Sequence, residues 1–122
     1  MRLRLDWALK MKRYEVVLSQ LAEIDINEII SYYLQKNKDS ALELYKRIKN
    51  KILELDNLPN KGRIVPELDK NGIHEFRELI EGNYRIVYSI HEMRVHILAV
   101  VDSRRNLDDI LINKVIDFYN KE

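Results

Sequence analysis

The stretch FRELIEGNYRIVYSIHEMRVHILAVVDSRR, residues 76–105, decides the fold of this chain. In its clearest segment every second side chain falls on one face, namely Tyr84, Ile86, Tyr88 and Ile90. Two short interruptions, Glu81-Gly82-Asn83 and His91-Glu92-Met93, indicate turns. Gly82 and Asn83 tolerate the positive φ that a tight hairpin needs. The stretch therefore predicts three short strands joined by two turns.

Arginines recur where these predicted strands begin or end. Arg85 falls on the face opposite Tyr84 and Tyr88, and Arg104 and Arg105 follow the last strand. A planar guanidinium forms bidentate hydrogen bonds with phosphate or carboxylate and stays charged at physiological pH. We therefore expect this part of the sheet to meet anions, either nucleic acid or an acidic protein partner.

The composition is that of one ordinary globular domain. Of the 122 residues, 46% are hydrophobic and 34% are charged, which argues against disorder. The 21 Lys and Arg balance 20 Asp and Glu, so a net charge of +1 carries no general signal of nucleic-acid binding. The absence of Cys excludes disulfides and thiolate metal sites and fits a cytoplasmic location. No apolar run reaches the ~20 residues that span a bilayer, so we expect no membrane association.

Residues 1–13 are predicted to be a basic N-terminal extension, and residues 14–122 a single domain. The extension holds five basic residues and one acidic residue, with Trp7 and several leucines between them. Three interpretations are open: a short amphipathic helix on a partner, a disordered basic arm, or leader sequence from an upstream start. The run Met11-Lys12-Arg13-Tyr14 resembles a natural beginning and favours the leader.

The segment before the opening stretch predicts one strand and two helices. Tyr14–Leu18 is apolar and β-branched, as in a first strand. Ser19 is a suitable N-cap for the first helix, and Ser40 with Glu43 matches a capping box for the second. Pro59 ends the second helix because its ring clashes with the preceding turn. Two helices so close in sequence form an antiparallel hairpin.

A last helix completes the predicted fold. Asn106 can cap it, and its apolar face consists of Leu107, Ile110, Leu111, Val115 and Phe118. The element order predicts an α+β fold, in which a small antiparallel sheet is packed by an N-terminal helical hairpin and a C-terminal helix. We expect these helices on one face of the sheet. The other face then stays open.

The open face is the predicted functional surface, where Arg77, Arg85, Ser89 and His91 line a shallow concavity. A second interpretation is structural: Arg77 and Arg85 pair with carboxylates and hold the sheet together, the candidates being Glu75, Glu78, Glu81 and Asp102.

Other chemistry has little support in the sequence. There is no GxSxG or P-loop pattern, and His74, His91 and His96 are too scattered for a metal spacing. We therefore expect neither a metal nor a cofactor. Arg85 with Arg104 and Arg105 could hold a scissile phosphate and stabilise its transition state. No residue is assigned by spacing to the role of general acid or base.

Residues from about 14 to 105 resemble the RelE/ParE superfamily, the toxins of bacterial type II toxin–antitoxin modules. The resemblance rests on YEVVLS, LPNKGRIVPEL, FRELIEGNYRIVYSI and VHILAVVDSRR, in that order. It implies a compact sheet with two N-terminal helices and a cognate antitoxin that wraps the toxin. Implied assemblies are a homodimer or a toxin–antitoxin hetero-oligomer.

Two activities occur in this superfamily. In the RelE-like branch, which cleaves mRNA on the ribosome, the catalytic arginines correspond to Arg85 and Arg104. Basic residues of that branch correspond to positions near Phe76 and Glu78, which are not basic here. In the ParE-like branch, which poisons DNA gyrase, many members carry a histidine where this chain has Asp102.

Arg77-Glu78-Leu79, the GRIVPEL loop and the helical hairpin are more similar to the ParE-like branch. The resemblance then implies a plasmid-stabilization toxin that inhibits growth by binding DNA gyrase and is neutralised by an antitoxin. Its implied binding residues are Arg77, Arg85, His91, Arg104 and Arg105. The alternatives are a ribosome-dependent mRNA endonuclease that uses Arg85 and Arg104, and a non-toxic member that only binds antitoxin. Whether the protein is an enzyme stays open.

Overall fold

A computed structural model describes residues 13–121. The elements are, in order, β1 (Glu15–Leu18), α1 (Gln20–Leu34), α2 (Lys38–Leu53), β2 (Arg63–Ile64), α3 (Pro66–Asp69), β3 (Phe76–Glu81), β4 (Tyr84–His91), β5 (Arg94–Asp102) and α4 (Leu107–Lys121). The predicted α+β class is confirmed, with its helical hairpin and C-terminal helix. The predicted N-terminal extension, apart from Arg13, lies outside the described residues.

The five strands form one sheet in the order β1-β5-β4-β3-β2. Strands β3, β4 and β5 pair antiparallel, as the sequence predicts, and the two-residue strand β2 joins β3 antiparallel at the edge. The edge strand β1 instead runs parallel to β5, with Glu15 opposite Arg94 and Leu18 opposite Ile97. A parallel pair needs a long crossover connection, and here the helical hairpin and three strands provide it.

Helices cover both faces of the sheet, so the predicted open face is wrong. The hairpin α1–α2 packs on one face through a cluster that includes Ala22, Ile26, Leu44, Ile48, Ile86 and Ile97. On the other face α3 and α4 pack through Leu68, Val87, Leu98, Val101, Leu111 and Phe118. The physical reason is that this second face is itself apolar, and burying it against α4 removes its surface from water.

An irregularity in β5 sets which residues face which helices. Val87 pairs with Ala99 but Tyr88 pairs with Ile97, so Leu98 is an extra residue in the ladder. Both Leu98 and Ala99 consequently contribute to the cluster under α4, whereas Ile97 belongs to the cluster under the hairpin. Such a bulge shifts the alternation of side chains by one position.

Turns and caps follow the prediction in part: α2 ends at Leu53, six positions before Pro59, so Pro59 is not what ends it. Ser19 caps α1, its Oγ accepting a hydrogen bond from the N–H of Ala22 at 3.1 Å. Helix α2 is capped by Asn37, whose Oδ1 accepts from the N–H of Ser40, rather than by Ser40 itself. In the two turns between the long strands, positive φ occurs at Gly82 in the first and at Glu92 in the second. Within residues 13–121, no helix has the length and apolar character to cross a bilayer.

Candidate functional site

Arg85, the residue that the sequence places at the centre of the site, is buried. Only 6% of its side chain is exposed, on the face covered by α3 and α4. Its Nε donates to Glu78 Oε1 at 2.6 Å, and Nη1 and Nη2 donate to the two oxygens of Glu67 at 2.8 and 2.7 Å. The expected exposure of Arg85 on a concave surface is therefore wrong. Glu67, in the four-residue helix α3, covers the guanidinium.

The contacts of Arg85 belong to a larger ionic network. Glu78 on β3 is fully buried and also accepts a hydrogen bond from Nε of Arg63 at 2.6 Å. Arg63 lies directly opposite Glu78 in the β2–β3 pair. We call Arg63, Glu67, Glu78 and Arg85 the Arg85 network. It joins β2, α3, β3 and β4, so these contacts favour the structural interpretation of Arg85.

Both ends of the Glu67–Arg85 pair are held in their charged forms. Hydrogen bonds from Arg85 lower the pKa of Glu67 to about 2. The same bonds, with those to Glu78, raise the pKa of Arg85 above its ordinary value. Since Arg85 keeps its proton at every physiological pH, it cannot serve as a general acid in this arrangement.

Arg77 holds a loop beside this network. Its side chain is half-buried, and Nη1 donates to the carbonyl of Gly62 at 2.8 Å. The hydroxyl of Tyr88 accepts from the N–H of Gly62 at 2.9 Å and donates to the carbonyl of Pro59 at 2.7 Å. A Cβ at Gly62 would lie 2.6 Å from the backbone oxygen of Glu78, so only glycine fits there. The sequence analysis did not predict this contact of Gly62 and Tyr88.

Arg104 and Arg105 are exposed beyond the end of β5. The guanidinium of Arg104 binds Asp102 through two hydrogen bonds, Nε to Oδ1 at 2.9 Å and Nη2 to Oδ2 at 2.7 Å. These bonds lower the pKa of Asp102 to about 2. Within residues 13–121 the side chain of Arg105 has no hydrogen bond or ion pair. Arg105 is thus a free guanidinium next to a paired one.

These two arginines border a groove of about 580 Å³ between α1, the end of β5 and the start of α4. We call it the Arg104 groove. Tyr33 and Tyr84 line it, and burial together with a hydrogen bond to Tyr33 raises the pKa of Tyr84. Lys36 also lines it, with its Nζ 5.0 Å from the ring centre of Tyr32.

The groove also holds acidic groups. Asp25 is buried, and burial raises its pKa, although Lys114 Nζ donates to it at 2.6 Å. The other oxygen of Asp25 accepts from the N–H of Val100 at 3.0 Å. Asp25 thereby ties α1 to β5 and α4. Within the described part of the chain, the basic side chains that line this groove without a carboxylate partner are those of Lys36 and Arg105.

His91 lies at the opposite end of β4. It lies six positions after Arg85, a span of about 20 Å in a strand. Its side chain is 80% exposed and faces a different cleft, with Ser89 and Tyr119 nearby. The predicted site is therefore not one surface. Among residues 13–121 there is also no group of three or more His, Asp and Glu side chains suited to a metal ion.

Comparison with known proteins identifies the family of this chain. A model described as the ParE toxin of the type II toxin–antitoxin system parDE matches residues 16–107. The chain belongs to this ParE family. The match extends from β1 to the first residue of α4, so almost all of α4 lies beyond it. The resemblance to the RelE/ParE superfamily is confirmed. No curated protein matches the chain.

Two solved structures have the fold of this ParE family member. One comes from a chromosomal ParDE toxin–antitoxin system of P. aeruginosa, with 18% identity, a TM-score of 0.60, and coverage of 74% of this chain and 96% of the other. The second comes from the RelBE2 toxin–antitoxin complex of Mycobacterium tuberculosis, with 19% identity, a TM-score of 0.52, and coverage of 76% and 94%. Both therefore support the same α+β architecture.

Proposed function

We propose that this ParE-family toxin inhibits growth by binding DNA gyrase and that a cognate antitoxin neutralises it. Membership of a toxin family supports the general role. The two structural relatives, which come from toxin–antitoxin systems, support an antitoxin partner. Plasmid stabilization is the biological consequence that we expect of such a pair.

The burial and the ion pairs of Arg85 are the observations that favour binding over catalysis. A ribonuclease that used Arg85 would need its guanidinium to meet a phosphodiester. Here two carboxylates engage Nε, Nη1 and Nη2, and 94% of the side chain is shielded from solvent. Replacing Glu67 and Glu78 by a phosphate would leave two carboxylates in or near a buried site without their cation, which is costly.

We assign the binding role to the Arg104 groove. Arg105 and Lys36 offer positive charge without a carboxylate partner, and Tyr33 and Tyr84 supply aromatic surface beside them. Arginine and tyrosine are, with tryptophan, the residue types enriched among the residues that dominate binding energy at protein interfaces. An acidic segment of a protein partner fits this combination.

A supercoiling assay tests the proposal. Purified wild-type protein should inhibit supercoiling of relaxed plasmid by gyrase, and the double variant Arg104→Ala/Arg105→Ala should lose most of that inhibition. Arg94→Ala is the matched control, because Arg94 is also exposed and also paired with one carboxylate, Glu15, but lies at the other end of β5. The control should inhibit like the wild type.

Primer extension on mRNA from induced cells separates the alternatives. Codon-positioned cuts, combined with unaffected gyrase, would replace the proposal by ribosome-dependent cleavage. Normal growth on induction, with neither effect, would leave a non-toxic protein that only binds antitoxin.

A further inference from the structure

The Arg104 groove contains a carboxylate that already binds one of its arginines. Asp102 ends β5 and lines the groove beside Arg104. Its Oδ2 accepts a hydrogen bond from Nη2 of Arg104 at 2.7 Å, and its Oδ1 accepts one from Nε at 2.9 Å. A bidentate pair of this kind is also the arrangement in which arginine binds a carboxylate of another molecule. Asp102 therefore occupies the nitrogens of Arg104 that an acidic side chain of a partner would use.

This ion pair is open to exchange because it lies at the surface. The side chain of Arg104 is 62% exposed and that of Asp102 is 25% exposed. Water and salt screen such a pair, so a carboxylate of a partner can replace Asp102 without leaving a buried charge unpaired. Asp102 is ionised at physiological pH, since hydrogen bonds from Arg104 lower its pKa to about 2. An incoming carboxylate thus competes with a full negative charge.

The other free cations of the groove do not meet this competition. Arg105 and Lys36 have no carboxylate partner within residues 13–121. Asp25 also lines the groove, but one of its oxygens accepts from Lys114 and the other from a backbone N–H. Arg104 is therefore the arginine whose availability to a partner depends on an acidic residue of the chain itself.

The charge of Asp102 can be removed without changing the turn in which it lies. Oδ1 of Asp102 also accepts from the backbone N–H of Arg104 at 2.9 Å, and the side-chain oxygen of an asparagine can accept the same bond. Ser103 holds the turn independently, because its N–H and its Oγ donate to the carbonyl of Asn83 at 2.7 and 2.9 Å. Asp102→Asn therefore keeps the Oδ1 acceptor but loses the negative charge and the second carboxylate oxygen.

We propose that Asp102 is an internal competitor for Arg104 and limits the affinity of the groove for acidic segments of a partner. In the free protein Asp102 pairs with Arg104. On binding, a carboxylate of the partner takes its place, and the displaced Asp102 remains close to it as a like charge. Asp102 thereby determines how tightly the groove holds an acidic partner. This proposal rests on the binding role assigned above to the Arg104 groove.

Binding of a rhodamine-labelled hexaglutamate peptide, followed by fluorescence anisotropy, tests the proposal with a probe of defined charge. Asp102→Asn should bind this peptide about two- to fivefold more tightly than the wild type, a gain equivalent to one exposed ion pair. The gain should shrink in high salt. Glu15→Gln is the matched control, because it also removes a carboxylate from an exposed arginine, Arg94, but outside the groove. It should bind like the wild type.

A double-mutant cycle assigns the gain to Arg104. In a protein that already carries Arg104→Ala, the change Asp102→Asn should bring little further gain, since the cation for which Asp102 competes is absent. In the supercoiling assay, Asp102→Asn should inhibit gyrase at a lower concentration than the wild type. Circular dichroism of each variant establishes that the fold is retained.

Three kinds of result would overturn the proposal. Weaker binding of hexaglutamate by Asp102→Asn would mean that Asp102 positions Arg104 for the partner. Equal gains with and without Arg104 would reduce the effect to a general change in charge. Equal binding by the wild type and Asp102→Asn, or no binding by either, would also contradict it. If the peptide results were as expected but no form inhibited gyrase, the role of Asp102 would stand and only the proposed target would be wrong.

Discussion

Arg85 and Arg104 lie at the same end of the sheet, and each forms a bidentate ion pair, but their surroundings differ. The side chain of Arg85 is 6% exposed and contacts two carboxylates, whereas that of Arg104 is 62% exposed and contacts one. Ion pairs in water are screened, while those in the interior are strong and intolerant of the loss of a partner. An arginine–carboxylate pair thus stabilises the fold at Arg85, whereas at Arg104 the guanidinium can exchange its carboxylate for another partner.

The largest expected effect is that of Arg85→Ala. This variant leaves Glu78 buried without its main cation, so the free energy of unfolding should fall by about 3–5 kcal/mol. Urea denaturation followed by circular dichroism measures the change. A loss below about 0.5 kcal/mol, the range of surface substitutions, would mean that the network is dispensable, and would restore Arg85 as a candidate catalytic residue.

The second effect is a pH dependence of the free energy of unfolding that arises from Glu67. Its folded pKa of about 2 lies below the ordinary 4.5, so its contribution to stability is complete above about pH 4.5 and is lost as the pH falls towards 2. Because the carboxyl is partly exposed, we expect a contribution of about 2 kcal/mol. Glu67→Gln should be less stable than the wild type at pH 7 and equal to it near pH 2.

Urea midpoints measured between pH 2 and 7 provide the test. Asp102→Asn is the control, since Asp102 has a similarly lowered pKa but pairs with the exposed Arg104. The urea midpoint of Asp102→Asn should follow that of the wild type closely over this pH range. If Asp102→Asn altered the loss of stability at low pH more than Glu67→Gln did, the distinction between the two ion pairs would fail.

An intermediate effect is expected at Tyr88, which holds the loop that carries Arg63. Tyr88→Phe removes the donor to Pro59 and the acceptor for Gly62, in a buried site. Leaving those backbone groups unsatisfied should cost about 1–3 kcal/mol in the free energy of unfolding. Thermal and urea unfolding measure it. An unchanged stability would show that water or a loop shift replaces both bonds.

The smallest effect is that of Arg104→Ala. An exposed pair in water contributes little, so the urea midpoint should not move measurably, with or without 0.5 M salt as an approximate screening condition. Inhibition of gyrase, by contrast, should weaken in the proposed function. A clear loss of stability in Arg104→Ala would place this arginine with Arg85 and remove the contrast between them.

Local patterns predicted most elements of the fold. The alternation at Tyr84–His91 and the apolar face of α4 correspond to elements of the structure. The sheet face that α4 covers was not predictable, because an apolar helix face indicates that the helix packs on another surface but not which surface that is. The bulge at Leu98 likewise depends on pairing between β4 and β5, which the sequence of one strand does not contain.

The candidate site was less predictable than the fold. Arg85 and Glu67 are 18 residues apart, and the segment with Glu67 has Gly and Pro residues that indicate a loop. Nothing in that pattern indicates that Glu67 returns to cover Arg85. For Arg104 and Arg105, a position just after a strand was enough to predict exposure. Burial of charge depends on tertiary contacts, whereas exposure at a chain turn follows from local structure.

The parallel pairing of β1 with β5 has a consequence for synthesis on the ribosome. Ser19, at the end of β1, contacts Leu98, 79 residues later in the chain. At roughly 5–20 residues per second, about 4–16 s pass before the partner strand is made. Throughout that time the first strand has no place in a sheet, whereas β3 and β4 can already form a local hairpin. The sheet is therefore completed only after β5 has been made.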